Sequence, residues 1–197
     1  MFIIGITGGT GAGKTTALRA LGALGALALD ADAVYHELLA GNAELNAELA
    51  ARFPGAQSGG AVDRKLLAGI VWNDQTALLE LNSIAHKYVG AEIDRRLSDW
   101  EAQGGAVAAI DAIALIESGI AGKCDIVVGV DAPVEARIKR IMRRDGIPRE
   151  QAEMRVNAQK PAEFFREHCD YMLEGISSTS EEFEERCREF FIGVIPR

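Results

Sequence analysis

The stretch Gly8-Gly9-Thr10-Gly11-Ala12-Gly13-Lys14-Thr15 decides how this sequence folds. It fits the pattern of Gly, four residues, Gly-Lys and then Ser or Thr. Residues 2–4 are apolar and predict a short buried strand, and residues 16–24 carry apolar side chains at helical spacing. A strand, a glycine-rich loop and a helix in this order predict a phosphate-binding loop rather than a glycine-rich turn with an accidental lysine. We call residues 8–15 the phosphate loop.

The residue types in the phosphate loop suit the binding of an anion. Glycines let successive amides approach an anion without a side-chain clash, and the N-terminus of the following helix adds positive potential. Lys14 is a mobile charge for the β- and γ-phosphates, and the Thr15 hydroxyl is an oxygen ligand of the kind that Mg²⁺ prefers. The predicted nucleotide-binding residues are Gly11, Ala12, Gly13, Lys14, Thr15 and Thr16.

Composition excludes several classes of protein. The 197 residues are 48% hydrophobic and 25% charged, which predicts one sizeable α/β domain with insertions. The net charge of −8 argues against general nucleic-acid binding, and no apolar run is long enough for a membrane span. The sequence begins directly with a predicted strand, so we expect no signal peptide. Cys124, Cys169 and Cys187 lack metal-site spacing and predict reduced thiols in a cytoplasmic protein. We further expect a monomer or a weak homo-oligomer.

Four more apolar segments predict strands, at residues 25–30, 106–110, 125–131 and 170–173. Helical patterns separate them. The alternation predicts an α/β fold with a five-stranded parallel sheet flanked by helices.

Carboxylates follow two of these strands. Asp30 and Asp32 come at the end of the second strand, where open α/β sheets bind ligands, although one of them can instead cap a helix over residues 33–39. Asp111 ends the third strand and is either a Mg²⁺ partner or a turn residue. Whether Asp30 or Asp111 is the main indirect Mg²⁺ partner is left open. Glu117 is predicted to lie in the next helix and to face the same cleft.

The middle of the chain predicts a connector at residues 54–60 and two helices. Asp63 has the position of an N-cap for a helix over residues 66–71, and a longer helix runs from Asn73 to about Trp100.

A basic helix follows the fourth strand, with Pro133 in its first turn. It is followed by a break at residues 145–149, which favours a mobile lid over phosphates, the alternative being a solvated charged face. Its cations are Arg137, Lys139, Arg140, Arg143 and Arg144.

Taken together, these motifs resemble the dephospho-CoA kinase family of P-loop kinases over nearly the whole chain. The resemblance is carried by residues 7–16, Asp30-Ala31-Asp32 with His36, Asp63-Arg64 with Leu67 and Val71-Trp72, residues 81–86, Glu117-Ser118-Gly119, Val130-Asp131-Ala132-Pro133, Arg140, Arg144-Asp145-Gly146, Arg155 and Gln159.

The resemblance implies ATP- and Mg²⁺-dependent phosphorylation of the ribose 3′-hydroxyl of dephospho-CoA. It also implies a single P-loop kinase domain over residues 1–197, with a helical substrate-binding insertion at about 60–100 and a lid at about 140–158. By this likeness Asp32, Lys14 and Arg140 are catalytic, Thr15 and Asp111 organise Mg²⁺, and the acceptor is bound by Asp32, Arg64, His86 and Glu117.

Three positions depart from the family pattern. Lys87 stands where the family usually has Pro, Ile113-Ala114 replaces Pro-Leu, and Gly175 stands in a segment that commonly carries Asn near the adenine site. Two alternatives therefore stay open: a small-molecule kinase resembling nucleoside monophosphate kinases, and a non-catalytic nucleotide-binding protein. A regulatory GTP switch is disfavoured because the chain has no Asn-Lys-x-Asp motif.

Overall fold

One parallel sheet organises the computed structural model, which describes residues 1–58, 61–72, 74–177 and 179–196. The order of its five strands is β2-β5-β1-β6-β7, and every neighbouring pair is parallel. The prediction of a five-stranded parallel sheet is confirmed. The strands are β1 (Phe2–Thr7), β2 (Leu27–Asp30), β3 (Gln57–Ser58), β4 (Ala61–Val62), β5 (Val107–Asp111), β6 (Ile126–Asp131) and β7 (Tyr171–Glu174), of which β3 and β4 form a separate antiparallel pair.

Nine α-helices are present among the described residues: α1 (Lys14–Ala23), α2 (Ala31–Gly41), α3 (Ala43–Arg52), α4 (Arg64–Val71), α5 (Gln75–Ala102), α6 (Val134–Asp145), α7 (Arg149–Asn157), α8 (Ala162–His168) and α9 (Ser180–Val194). Short 3₁₀ turns occur at Pro54–Ala56 and Ile120–Lys123. None of the helices in the described part of the chain combines the length and the apolar character needed to cross a membrane.

The chain divides into two compact units, Met1–Asp30 with Asp99–Arg197, and Ala31–Ser98. We call them the sheet unit and the helical unit. The single-domain organisation and the boundaries of the insertion and the lid stay predictions.

The core of the sheet unit forms around β1, which lies between β5 and β6. Ile4 and Ile6 are fully buried because helices cover both faces of a parallel sheet. Apolar residues of α1 and of an aromatic stripe on α9 complete this core. The buried residues of that stripe are Phe183, Cys187 and Phe191.

The helical unit packs Leu45 and Leu49 of α3 against Leu67 and Val71 of α4. Side-chain caps mark the starts of α3 and α4. The predicted cap is confirmed, since Asp63 Oδ1 accepts hydrogen bonds from the amides of Lys65 and Leu66 at 2.8 and 3.1 Å.

Four local expectations differ from the structure. Helix α2 begins at Ala31 rather than at residue 33, and Pro133 precedes the first residue of α6 instead of lying in its first turn. Glu117 lies in an irregular run of turns before Ile120–Lys123 and not in a helix. The predicted connector at 54–60 contains a 3₁₀ turn and β3, while its Gly59 and Gly60, and also Asn73, lie outside the described residues.

The chain after β7 approaches the phosphate loop closely at Gly175. Its amide donates to the Asp131 carbonyl at 2.7 Å, and a Cβ at this position would overlap the carbonyl oxygen of Ala12. This contact gives a steric reason for the absence of a larger residue such as Asn at position 175.

We therefore expect Gly175→Ala to lower the free energy of unfolding by about 1–3 kcal/mol, because the added methyl group must displace backbone. Urea unfolding followed by circular dichroism measures this change. Gly193→Ala is the matched control, since a Cβ at this α9 position meets no atom within 4 Å and should leave stability equal or raised. Equal stability of Gly175→Ala and the unmodified protein would contradict the steric explanation.

Candidate active site

The phosphate loop follows β1 at the carboxyl edge of the sheet and leads into α1. Its course requires glycine at several places. Gly8 and Gly13 have φ of +133° and +122°, and a Cβ at Gly8 would overlap the Val130 carbonyl oxygen. A Cβ at Gly13 would lie 2.8 Å from the Phe183 ring. The loop is therefore enclosed by β6 and α9 on its outer side.

Lys14 and Thr15 occupy the first two positions of α1. The half-buried Lys14 side chain donates to the carbonyl of Gly9 at 3.4 Å, so its ammonium group lies along the loop. Thr15 is exposed. The structure thus places a cation and a hydroxyl at the N-terminus of a helix, where anions bind favourably.

Carboxylates line up at the same edge of the sheet. Asp111 is the last residue of β5 and is 6% exposed, and its Cα is in register with Ile6 of β1 and Asp30 of β2. Asp131 ends β6, and its Oδ1 accepts from the Ala132 amide at 2.9 Å. The sequence predicted that Asp30 and Asp111 each end a strand, and the parallel register brings these two strand ends next to each other.

Arg140 binds the back of the phosphate loop. Its Nη1 donates to the carbonyls of Gly11 and Ala12 at 3.0 and 3.1 Å, and its Nη2 donates to the Gly175 carbonyl at 2.6 Å. In this structure the guanidinium therefore joins the loop to the chain after β7. Its role in stabilising transferred charge stays a prediction.

Arg137 belongs to the predicted basic cluster, but it does not lie on a solvated face. Its side chain is buried and donates through Nε to the Thr10 carbonyl at 3.0 Å. Burial lowers the pKa of Arg137, and the charge of Asp131 opposes that shift.

Ion pairs connect the basic helix to α7. Arg144 and Arg155 both pair with Asp145 at 2.6 Å, where α6 ends. Arg149 pairs with Glu135 and Glu153, which connects α7 to α6. The lid role of residues 140–158 stays a prediction.

In the helical unit, the predicted acceptor residues lie on three helices. Asp32 is exposed in the first turn of α2, Arg64 is exposed at the start of α4, and His86 is half-buried in α5. The pKa of Tyr35 is raised by burial, and the charge of Arg64 opposes this shift. The remaining acceptor candidate, Glu117, is an exposed residue of the sheet unit.

The departure at Lys87 has a structural reason. The residue lies inside α5, where Pro would remove a helical hydrogen bond. Its ammonium group pairs with Glu48 of α3 at 2.7 Å, and Glu48 also accepts from the Tyr88 hydroxyl at 2.7 Å. Hydrogen bonds from Lys87 and Tyr88 lower the pKa of Glu48. Position 87 thus joins two helices.

Sequence reasoning missed the role of Gln159. Its side chain contacts both Thr10 and Arg137, although it follows α7 far along the chain. A weak signal was available, because Arg137 precedes the buried Ile138 and lies one helical turn before the buried Ile141. A cation on a buried stripe needs polar partners, but the sequence does not reveal which ones.

A phosphate loop on a five-stranded parallel sheet flanked by helices defines this protein as a P-loop kinase by class. The family model described as dephospho-CoA kinase matches residues 2–181. The chain is 36% identical to dephospho-CoA kinase of Thermobifida fusca, over 96% of this chain and 94% of that protein. The chain therefore belongs to the dephospho-CoA kinase family, whose members are kinases that transfer a phosphoryl group from ATP.

Solved structures share this fold. A crystal structure of a protein from Thermus thermophilus superposes with a TM-score of 0.85 at 32% identity, covering 100% of this chain and 98% of that one. Dephospho-CoA kinase from Campylobacter jejuni superposes with a TM-score of 0.68 at 23% identity, covering 98% and 96%, and supports the fold.

Lys14→Ala is expected to lose nucleotide-dependent turnover and to weaken ATP binding, because the loop loses its mobile cation. Calorimetry and steady-state kinetics measure both effects. Lys123→Ala removes the same charge from the exposed end of a 3₁₀ turn outside the loop and should leave both unchanged. Unaltered binding and turnover in Lys14→Ala would refute the role of this lysine.

Proposed function

We propose that this chain phosphorylates the ribose 3′-hydroxyl of dephospho-CoA with ATP, giving CoA and ADP. The family match over residues 2–181 carries the proposal, and the phosphate loop at the sheet edge supports it. In the transfer, the acceptor oxygen attacks the γ-phosphorus while the bond to the β,γ-bridging oxygen breaks. ADP leaves with that oxygen, and the hydroxyl loses its proton.

Asp32 is the proposed acceptor or orienting group for this proton. It is an exposed carboxylate two residues after the end of β2, which suits contact with a substrate rather than a packing role. Lys14, Arg140 and the loop amides would stabilise the charge that develops on the transferred group. Most of the catalytic effect would come from positioning and electrostatics.

The oxygen donors of the sheet unit fit Mg²⁺. The Thr15 hydroxyl and the Asp111 carboxylate would hold it, and no group of three or more His, Cys, Asp or Glu suited to a metal occurs within the described residues. Such a sparse donor set suits Mg²⁺, which keeps several waters and binds phosphate oxygens. When bound, Mg²⁺ neutralises charge on the β- and γ-phosphates.

Acceptor binding is assigned to Asp32, Arg64, His86 and Glu117, with the helical insertion at about 60–100 supplying most of the surface. The lid at about 140–158 would exclude water, which competes with the acceptor hydroxyl. The chain there has a break that permits bending, since Gly146 caps the end of α6 with φ of +65° and Pro148 precedes α7.

We place the enzyme in the cytoplasm, as a monomer or weak homo-oligomer without nucleic-acid partners. Three free thiols support a reducing compartment. Burial raises the pKa of Cys124 and of Cys187 to about 12, and that of Cys169 to about 11. Little thiolate forms at neutral pH, so these cysteines suit packing rather than redox chemistry.

A coupled ADP-release assay tests the acceptor. We expect ADP release from ATP with dephospho-CoA, and none above background with AMP, CMP or shikimate. Release with AMP or CMP alone would instead support a nucleoside monophosphate kinase. Binding of ATP without release for any acceptor would indicate a non-catalytic nucleotide-binding protein.

Asp32→Asn is expected to lower kcat by about 10²–10⁴-fold while the Kd for ATP stays near its original value, because only proton transfer is impaired. Turnover measurements and calorimetry separate the two quantities. Asp125→Asn is the matched control, since this residue precedes β6 and its amide oxygen can still accept from the Ile3 amide. Unchanged turnover in Asp32→Asn would show that the base assignment is wrong.

A further inference from the structure

Two side chains from distant parts of the sequence hold the tip of the phosphate loop. Gln159 Oε1 accepts from the Thr10 amide at 2.8 Å, and Gln159 Nε2 donates to the Thr10 hydroxyl. Arg137 Nε donates to the Thr10 carbonyl at 3.0 Å. The amide, hydroxyl and carbonyl of Thr10 are thus all engaged. We call Thr10, Arg137 and Gln159 the Thr10 clamp.

The clamp is closed by a bond between its two outer members. Arg137 Nη2 donates to Gln159 Oε1 at 2.6 Å, so this oxygen accepts from both Arg137 and Thr10. Arg137 is only 7% exposed, and a Cβ at Gly9 would overlap its Nη2 atom. The guanidinium therefore lies directly against the loop backbone. Breaking one contact would leave polar groups of the buried Arg137 or of the half-buried Thr10 and Gln159 without that partner.

The loop needs such support because of its composition. It has positive φ at Gly8, Gly11 and Gly13, and glycine loses more conformational freedom on ordering than any other residue. If the loop is already ordered before the ligand binds, less of the free energy of ligand binding is lost to ordering the loop. The Thr10 amide is already donated to Gln159, and the Ala12 amide to the Gly9 carbonyl. Phosphate binding therefore falls to other amides of the loop.

We propose that Arg137 and Gln159 are positioning residues for nucleotide binding, which act through Thr10 to keep the phosphate loop in the conformation that accepts phosphates. The proposal deepens the proposed function, since it concerns the ATP site of the same reaction. It assigns neither residue a contact with the reacting atoms. Their contribution should thus appear in the affinity for nucleotide and not in the affinity for the acceptor.

The test uses the full chain and measures ADP binding by calorimetry in the presence of Mg²⁺. We expect Gln159→Leu to raise the Kd for ADP by about 5–20-fold, because it removes both bonds to Thr10 and leaves Arg137 with an unsatisfied donor. Gln103→Leu, the same change at an exposed position directly after α5, should leave the Kd within twofold. The KM for dephospho-CoA should also stay within twofold in both variants.

A pair of substitutions at Thr10 keeps the test valid if Gln159→Leu does not fold. Thr10→Val removes only the hydroxyl and should raise the Kd for ADP by about 2–5-fold, whereas Thr10→Ser retains the hydroxyl and should stay within twofold of the unmodified protein. In the double variant Thr10→Val with Gln159→Leu, the Kd for ADP should rise by less than the product of the two single increases. Both changes remove the same hydrogen bond between Gln159 and the Thr10 hydroxyl.

Three outcomes would overturn the proposal. These are an unchanged Kd in Gln159→Leu despite a lowered Tm, equal effects of Thr10→Val and Thr10→Ser, and fully multiplicative effects in the double variant. The first of them would mean that the clamp only stabilises the fold. Because the readout is ADP binding to the free protein, a lack of turnover with dephospho-CoA would contradict the proposed acceptor and not the clamp.

Discussion

The closeness of the phosphate loop to its surroundings is the constraint on which the rest of this structure depends. The loop backbone lies against the Val130 carbonyl, the Phe183 ring and the Arg137 guanidinium, so that Gly8, Gly13 and Gly9 have no room for a side chain. Such proximity turns glycines, which alone would make a flexible turn, into an ordered concave surface of amides. The nucleotide site is therefore built by the packing of β6, α6 and α9 as much as by the motif.

Two arginines on α6 stabilise the backbone of the phosphate loop. Arg137 and Arg140 donate to loop carbonyls rather than extending into solvent. These loop carbonyls face α6 and need donors there, because a carbonyl that is removed from water without a hydrogen bond costs free energy. The cations thus satisfy the backbone and add positive potential near the phosphates. The basic cluster of α6 resembles a solvated face in sequence, but two of its arginines hold the phosphate loop through hydrogen bonds.

Local patterns in the sequence predicted the sheet and the position of the loop well. The apolar runs of β1 and β6 are strong signals because both strands are buried along most of their length. The predictions were wrong in segments that lack such a buried apolar run. The run around Glu117 has an apolar pattern compatible with a helix, yet it forms turns, and residues 54–58 form a 3₁₀ turn and a strand rather than a plain connector.

By itself the sequence determined the class of protein, because strand, glycine loop, lysine and helix are contiguous and their chemistry is local. It also determined that Asp30 and Asp111 end parallel strands. Only the tertiary structure decided that Gln159 reaches Thr10, that Arg137 is buried beneath the loop and that Gly175 faces Ala12. These contacts join residues up to about 160 positions apart, and no pattern within a short window encodes a distance of that kind. They depend on how the helices pack onto the sheet, which is a property of the whole chain.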